Sequence, residues 1–270
     1  MEPTTSPEIS PEKMDFRAYS ISWNLTKRCN LNCDHCYLDA EFRGGLKTDE
    51  LNTEECFRVI DQIAEVNPNA FLILTGGEPL LRPDIYEIIR YAADKKFMVV
   101  LGTNGTMINR VNAEKIKAAG AHGVGIRIDS MNPDKHNKFR GVDKAWEHSM
   151  EAFDILNEVG VDFLVQMSVS DMNYKEIPDV VEFTEKIGAI AFNLYFLVCT
   201  GRGQGNTDIS NAAYEEALKM LYDQQMKYKG KLMINSKCAP QYKRVVYEND
   251  PESVYTRTYS GGCPAATHYS

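Results

Sequence analysis

The sequence predicts an α/β fold built on a parallel sheet. Strand-like apolar runs alternate with helical patterns through six β–α units, and parallel strands joined by helices cross over with one hand. The residues suited to ligand chemistry gather at the C-terminal ends of the predicted strands. Cysteines follow the first, Gly76 to Pro79 the second, Asn104 the third, Asp129 the fourth and Thr200 to Gly203 the sixth. In barrels made of such units, active sites lie at that end.

Residues 1–17 carry no hydrophobic period and read as a loose tail. Over 18–25 apolar and polar residues alternate, with Tyr19, Ile21, Trp23 and Leu25 on one face of a first strand. An irregular cysteine loop follows, extended by Gly44-Gly45. Asn52, with Glu55 three residues on, is a box-like helix start. Cys56, Val59, Ile60 and Ile63 then share a helical face, so Cys56 reads as a small buried hydrophobe. The run 69–75 is apolar throughout and suits a strand buried on both faces. A helix is expected over 85–93, a strand over 97–102, and a helix over 111–119 stopped by Gly120. Strands over 123–128, 161–169 and 189–198 alternate with helices over 145–159, 177–187 and 212–228.

A chain of 270 residues fits one large domain plus a small extension. A net charge of −8 argues against a general binder of nucleic acid or anionic membrane, which needs a basic face. No apolar stretch approaches the roughly 20 residues of a membrane span, and 1–13 has no apolar core of a signal peptide. Seven cysteines, odd in number and unevenly clustered, read as ligands and reduced thiols in a cytoplasmic protein.

Three of them, Cys29, Cys33 and Cys36, stand at C-x3-C-x2-C. Soft thiolates bind zinc or iron–sulfur clusters. Structural zinc wants four ligands, and no fourth Cys or suitably spaced His follows; His35 lies between two thiols and is a poor fourth ligand. Three cysteines on a short loop suit a cubane cluster with one iron left open. This motif, followed some forty residues later by Gly76-Gly77-Glu78-Pro79, resembles the radical S-adenosylmethionine (SAM) superfamily. The resemblance implies a partial (β/α)6 TIM-type barrel with a short, irregular, cysteine-containing C-terminal extension. It implies a [4Fe-4S] cluster on the three cysteines, with SAM chelating the open iron through its amino and carboxylate groups. Reductive cleavage would then give a 5′-deoxyadenosyl radical that takes hydrogen from a substrate.

Candidate cofactor contacts follow the strand ends. Gly76 and Gly77 let a ligand approach the backbone, Glu78 offers a carboxylate to a cationic amino group, and Pro79 stiffens the exit. The bland alternative is a glycine-proline turn. Asn104 either bonds a ligand or holds the Asn-Gly turn in a left-handed conformation. Asp129 is a candidate for ribose hydroxyls. Many members of the family carry a small serine two positions earlier, where this chain has Arg127, which is expected to pair with a carboxylate instead. Gln166 and Ser168 share a strand face by period two and suit a ligand. Arg202 is either a fork for carboxylates or a solvated arginine, and Cys199 beside it reads as a packed thiol.

Cys238 and Cys263 fall outside any regular pattern. They resemble the start of the SPASM or twitch extension that holds auxiliary iron–sulfur clusters. The expected division is a tail over 1–17, a radical SAM core over 18–230 and the beginning of the extension over 231–270, the chain being either a fragment of a longer protein, the favoured reading, or one whose auxiliary site is incomplete. The subgroup it resembles contains heme and heme d1 biosynthesis enzymes and peptide maturases, which implies a ribosomal peptide or a tetrapyrrole side chain as substrate. Flavodoxin or ferredoxin is the expected electron donor. The rival reading is a non-catalytic zinc or iron–sulfur protein in which SAM has no role.

Overall fold

In the computed structural model, residues 20–42, 50–197, 200–205 and 209–253 are described. In chain order the strands are β1 (Ser20–Asn24), β2 (Arg28–Cys29), β3 (Glu41–Phe42), β4 (Phe71–Thr75), β5 (Met98–Thr103), β6 (Gly123–Arg127), β7 (Phe163–Val169), β8 (Ala191–Phe196) and β9 (Met233–Lys237). β2 and β3 pair only with each other, inside the cysteine loop. The other seven form one parallel sheet in the order β1-β4-β5-β6-β7-β8-β9. Its two ends do not pair, so the sheet is the open half-barrel of an α/β fold.

Period-two alternation explains both faces of this sheet. Leu72 and Leu74, Val99 and Leu101, Val124 and Ile126, and Val165 and Met167 are wholly buried against the helices. The interposed residues, such as Ile73, Thr75, Gln166 and Tyr195, line a cavity on the concave side. The run 69–75 is therefore not buried on both faces as predicted. One face meets helices and the other meets the cavity, and an apolar lining residue such as Ile73 looks like core in sequence.

The helices are α1 (Thr53–Val66), α2 (Ile85–Asp94), α3 (Arg110–Ala118), α4 (Pro133–Arg140), α5 (Ala145–Val159), α6 (Ile177–Lys186), α7 (Asn211–Lys227) and α8 (Tyr242–Asn249). α1 begins at the expected capping box of Asn52 and Glu55, and Cys56 is fully buried beneath it. The pattern did not predict α4, because Pro-Asp-Lys-His-Asn-Lys-Phe-Arg has no apolar stripe. Its start is set locally: the Asn132 side chain accepts from Lys135 N, and Pro133 occupies the first turn.

The stretch after residue 230 is more regular than predicted. β9 pairs with β8 from Ala191↔Met233 to Tyr195↔Lys237, and α8 buries Tyr242 and Val246. The sheet thus has seven strands and passes the point where the core was expected to end. β9 is an edge strand with a single buried apolar residue, Ile234, so its pattern is weak in sequence. The tail 1–17, Gly44-Gly45, Cys199 and Cys263 lie outside the described residues. Among the described residues, no helix is long and apolar enough to cross a membrane.

Candidate active site

The cavity, about 420 Å³, lies within the half-barrel and is capped by the cysteine loop. That volume is in the range of small-molecule sites. Cys29, Cys33 and Cys36 all reach its wall. The loop leaves β1, makes the β2–β3 ribbon and closes on itself through Glu41 N to Lys27 O at 2.8 Å.

Distant segments hold this loop. Asn32 N and Asp34 N donate to Arg140 O and Phe139 O at the end of α4, at 3.0 and 3.2 Å. The His35 ring stacks on Phe139 at 4.1 Å. Arg202, after β8, donates from Nε to Cys33 O and from Nη1 to Ala40 O, at 3.1 and 2.8 Å, and pairs with Asp39 at 2.9 Å. Gly201 has φ +59, and a Cβ there would meet Cys36 O at 2.4 Å, so only glycine lets this segment lie on the loop.

Each sulfur faces a donor. Leu31 N lies 3.4 Å from Cys29 Sγ, Ala40 N 3.3 Å from Cys36 Sγ, and Arg140 Nη1 3.8 Å from Cys33 Sγ. Burial pushes the Cys29 thiol up to about 12, opposed mainly by that Leu31 N–H. Burial also raises Cys33, against the Arg140 charge. A metal therefore has to displace protons to bind here. The His35 ring is held neutral, its pKa far below the usual value, first by burial and then by the Arg140 charge.

Among the described residues, no three His, Cys, Asp or Glu side chains converge on a single metal ion. The thiols instead stand around one end of a cavity. Three sulfurs, each with an N–H donor, on an irregular loop next to two guanidiniums fit an anionic iron–sulfur cluster and the hydrogen bonding that tunes one.

The structure places the predicted contacts unequally. Gly76, Gly77, Asn104, Gln166, Ser168, Arg202 and Cys238 line the cavity. Glu78, Pro79 and Asp129 are not among its lining residues. Glu78 is wholly buried, and its carboxylate accepts from Leu80 N, Thr103 Oγ1 and Asn104 N at 3.0, 2.8 and 2.8 Å. Burial still pushes it up to about 6, against those three donors. It ties the end of β4 to the end of β5. Pro79 is buried in the short 3-10 turn that follows.

Asp129 is also wholly buried. Its Oδ1 accepts from Ser168 N at 2.8 Å, and its Oδ2 lies 2.6 Å from Arg140 Nη2, a contact of charges rather than a directed hydrogen bond. Because Asp129 is taken by Arg140, Arg127 does not find the expected carboxylate. It donates from Nε to Gln166 Oε1 at 3.3 Å and lies 5.5 Å over the Tyr195 ring.

Gly77 is also read differently. A Cβ there would sit 2.2 Å from Arg28 O, and Gly77 N and Glu78 N donate to Thr26 O and Arg28 O. The close approach is to the base of the cysteine loop as well as to the cavity. Asn104 is not left-handed; Gly105 takes the positive φ. The Asn104 side chain accepts from Thr106 and donates to Asn30 Oδ1 at 2.8 Å, fixing the loop from another side. Arg202 spends Nε and Nη1 on the cysteine loop, and its buried Nη2 has no hydrogen-bond partner among the described residues. Cys238 follows β9 with φ +58. Arg140 was missed in sequence; the helix-ending Phe-Arg-Gly step, with Gly141 at φ +67, was its one local signal.

Residues 23–184 match the family model described as the radical SAM superfamily. The chain is 36% identical over 257 residues to the AdoMet-dependent heme synthase of Methanosarcina barkeri, covering 92% of this chain and 72% of that one. It is 32% identical over 206 residues to the pre-heme d1 synthase of Dinoroseobacter shibae, covering 74% of this chain and 49% of that one. Streptococcus suis SuiB, solved bound to the precursor peptide SuiA, superposes with a TM-score of 0.74 at 16% identity, over 93% of this chain and 56% of that one. That likeness concerns the fold. This chain therefore spans from about half to about three quarters of the length of these relatives.

Proposed function

Since the chain belongs to the radical SAM superfamily, we propose that it cleaves SAM reductively at a [4Fe-4S] cluster and uses the radical on a tetrapyrrole side chain. One observation carries the reading: the three donor-matched thiols open onto the same cavity as Gly76, Gly77, Asn104, Gln166 and Ser168. When bound, the cluster and SAM supply a 5′-deoxyadenosyl radical that removes hydrogen from the substrate.

The protein's part is placement and shielding. Cys29, Cys33 and Cys36 would hold the cluster, with Arg140, Ala40 N and Leu31 N donating to their sulfurs. Gly76 and Gly77 leave room for SAM's amino end, and Asn104 and Ser168 offer polar contacts along its length, while the Gln166 amide is engaged by Arg127. Ile73, Leu38, Phe196 and Leu197 supply apolar walls that limit water around a reactive species. Flavodoxin or ferredoxin would supply the electron, in the cytoplasm, where thiols stay reduced. Residues 18–230 would form the core, with β9 extending its sheet. The remainder up to 270 would begin a SPASM- or twitch-like extension, with Cys238 and Cys263 as ligands of an auxiliary cluster. A ribosomal peptide is the second substrate reading, favoured by the likeness to the peptide-bound SuiB fold.

The test is 5′-deoxyadenosine formation by anaerobically reconstituted, reduced protein given SAM, beside Cys33→Ala. Production that vanishes in the variant supports the proposal. Full iron loading with no SAM binding would favour a non-catalytic iron–sulfur protein instead.

A further inference from the structure

Among the described residues, three guanidiniums, those of Arg127, Arg140 and Arg202, line the cavity, and no Asp or Glu does. Two of the three are matched from behind. Arg140 meets Asp129 at 2.6 Å, and Arg202 meets Asp39 at 2.9 Å. Arg127 has no acidic partner among the described residues. Among the described residues only its Nε is engaged, by Gln166 Oε1, and neither Nη group meets an acceptor. An arginine offers five N–H donors in a planar fork, so the part suited to a bidentate carboxylate is the part left over.

The side chain is also held for that use. Arg127 of β6 stands opposite Gln166 of β7 in the register. At Gly125, the preceding position on the same face, a Cβ would come within 3.1 Å of Gln166 Nε2, so glycine makes room for the Gln166 amide. The Tyr195 ring of β8 lies under the guanidinium at 5.5 Å. A hydrogen bond and a cation–π contact thus fix its direction before any ligand arrives, which reduces the ordering cost of binding.

We infer that Arg127 anchors a carboxylate of the substrate, on the β6–β8 side of the cavity. This rests on the tetrapyrrole reading above. The direction of the side chain separates substrate from cofactor. SAM's own carboxylate belongs at the cluster, beside the cysteine loop, where Arg140 and Arg202 stand. Arg127 reaches from β6 to Gln166 of β7 and Tyr195 of β8, and unlike those two it makes no hydrogen bond to the cysteine loop among the described residues. A molecule that satisfies it reaches the lining contributed by β7 and β8. The walls there and around it include Tyr195, Phe196 and Leu197, so the ligand is an apolar body carrying a carboxylate arm.

Cluster-loaded wild type, Arg127→Gln and Arg127→Lys are titrated with coproporphyrin III, a porphyrin with carboxylate arms, and with its methyl ester in the same detergent. SAM affinity is measured in parallel by equilibrium dialysis. Arg127→Gln is expected to weaken the free acid by about 10–100-fold, the scale of a lost hydrogen-bonded charge. It is expected to leave the ester and SAM affinities where they were, with Arg127→Lys recovering part of the loss. Equal loss for acid and ester overturns the inference in favour of packing. Lost SAM affinity with unchanged porphyrin binding overturns it in favour of a cofactor contact. Wild type that cleaves SAM but binds no porphyrin overturns the inference together with the tetrapyrrole reading and leaves SAM cleavage standing, and wild type that does not bind SAM overturns the radical SAM reading itself.

Discussion

Replacing Asp129 by Asn strands a buried charge. The Asp129 and Arg140 side chains are 0% and 4% exposed, and their charges approach to 2.6 Å. Asn keeps an oxygen for Ser168 N, so the substitution removes the charge and little else. Breaking a buried pair from one side costs about 3–5 kcal/mol, because the remaining ion has no compensation. That is a large share of a typical total stability of about 5–15 kcal/mol. The second neighbour of Arg140 changes the outcome between states. Cys33 Sγ lies 3.8 Å from Nη1, and on the function proposed above that sulfur would be a thiolate ligand in the loaded protein. The penalty is therefore largest without the cluster and smaller with it. Urea unfolding under anaerobic, reducing conditions, followed by fluorescence of Trp23 and Trp146, gives both values. Arg140→Met and the double variant complete a cycle, with a coupling on the order of 2 kcal/mol between the two sites. A loss of less than about 1 kcal/mol in cluster-free Asp129→Asn, or costs that simply add, would refute the argument.

Gly77→Ala puts a methyl 2.2 Å from Arg28 O. The variant is expected to lose iron after reconstitution, and a normal iron and sulfide content would count against the packing described here. Arg202→Gln removes the cation that ties together Cys33 O, Ala40 O and Asp39. Cluster loss to a chelator should quicken by roughly tenfold, the worth of about 1.4 kcal/mol; an unchanged rate would mean the loop holds itself. Glu78 titrates near 6 when folded, up from 4.5, because it is buried. A carboxyl raised on folding stabilises at low pH, and that contribution is lost as pH rises through the folded value. Wild type should therefore lose about 2 kcal/mol relative to Glu78→Gln between pH 4.5 and 7. A flat difference in unfolding free energy over that range would show that the carboxyl is not buried as described.

The cysteine spacing, the glycine pair and the pairing of Gln166 with Ser168 were readable because each is a local pattern: a motif, a turn and a period of two. The partners of the two carboxylates were hidden for a shared reason. Glu78 and Asp129 sit at strand ends, where acids often meet ligands. Their actual partners are largely backbone N–H groups, Leu80 N, Asn104 N and Ser168 N, which no sequence displays. Arg140 stayed hidden because α4 is polar on every side and looks like a solvated surface segment. Arg127 stood out as a departure, but the fate of its charge depended on which arginine reached Asp129 first in space. β9 was missed because an edge strand needs little apolar pattern.

The clamp between Arg202 and Cys33 joins residues 169 positions apart. On a chain made from its N-terminus, the three cysteines emerge long before the residue that secures them. The motif is local in sequence, but its rigidity is among the last properties the polypeptide acquires. Until the segment after β8 has docked, the thiols sit on a loop held from the α4 and Asn104 sides but not yet clamped by Arg202, and so more open to oxidation and to stray metals. Correct loading is thus a report that the barrel has been completed, and a maturation system that delivers iron and sulfide to this chain has to wait for that event.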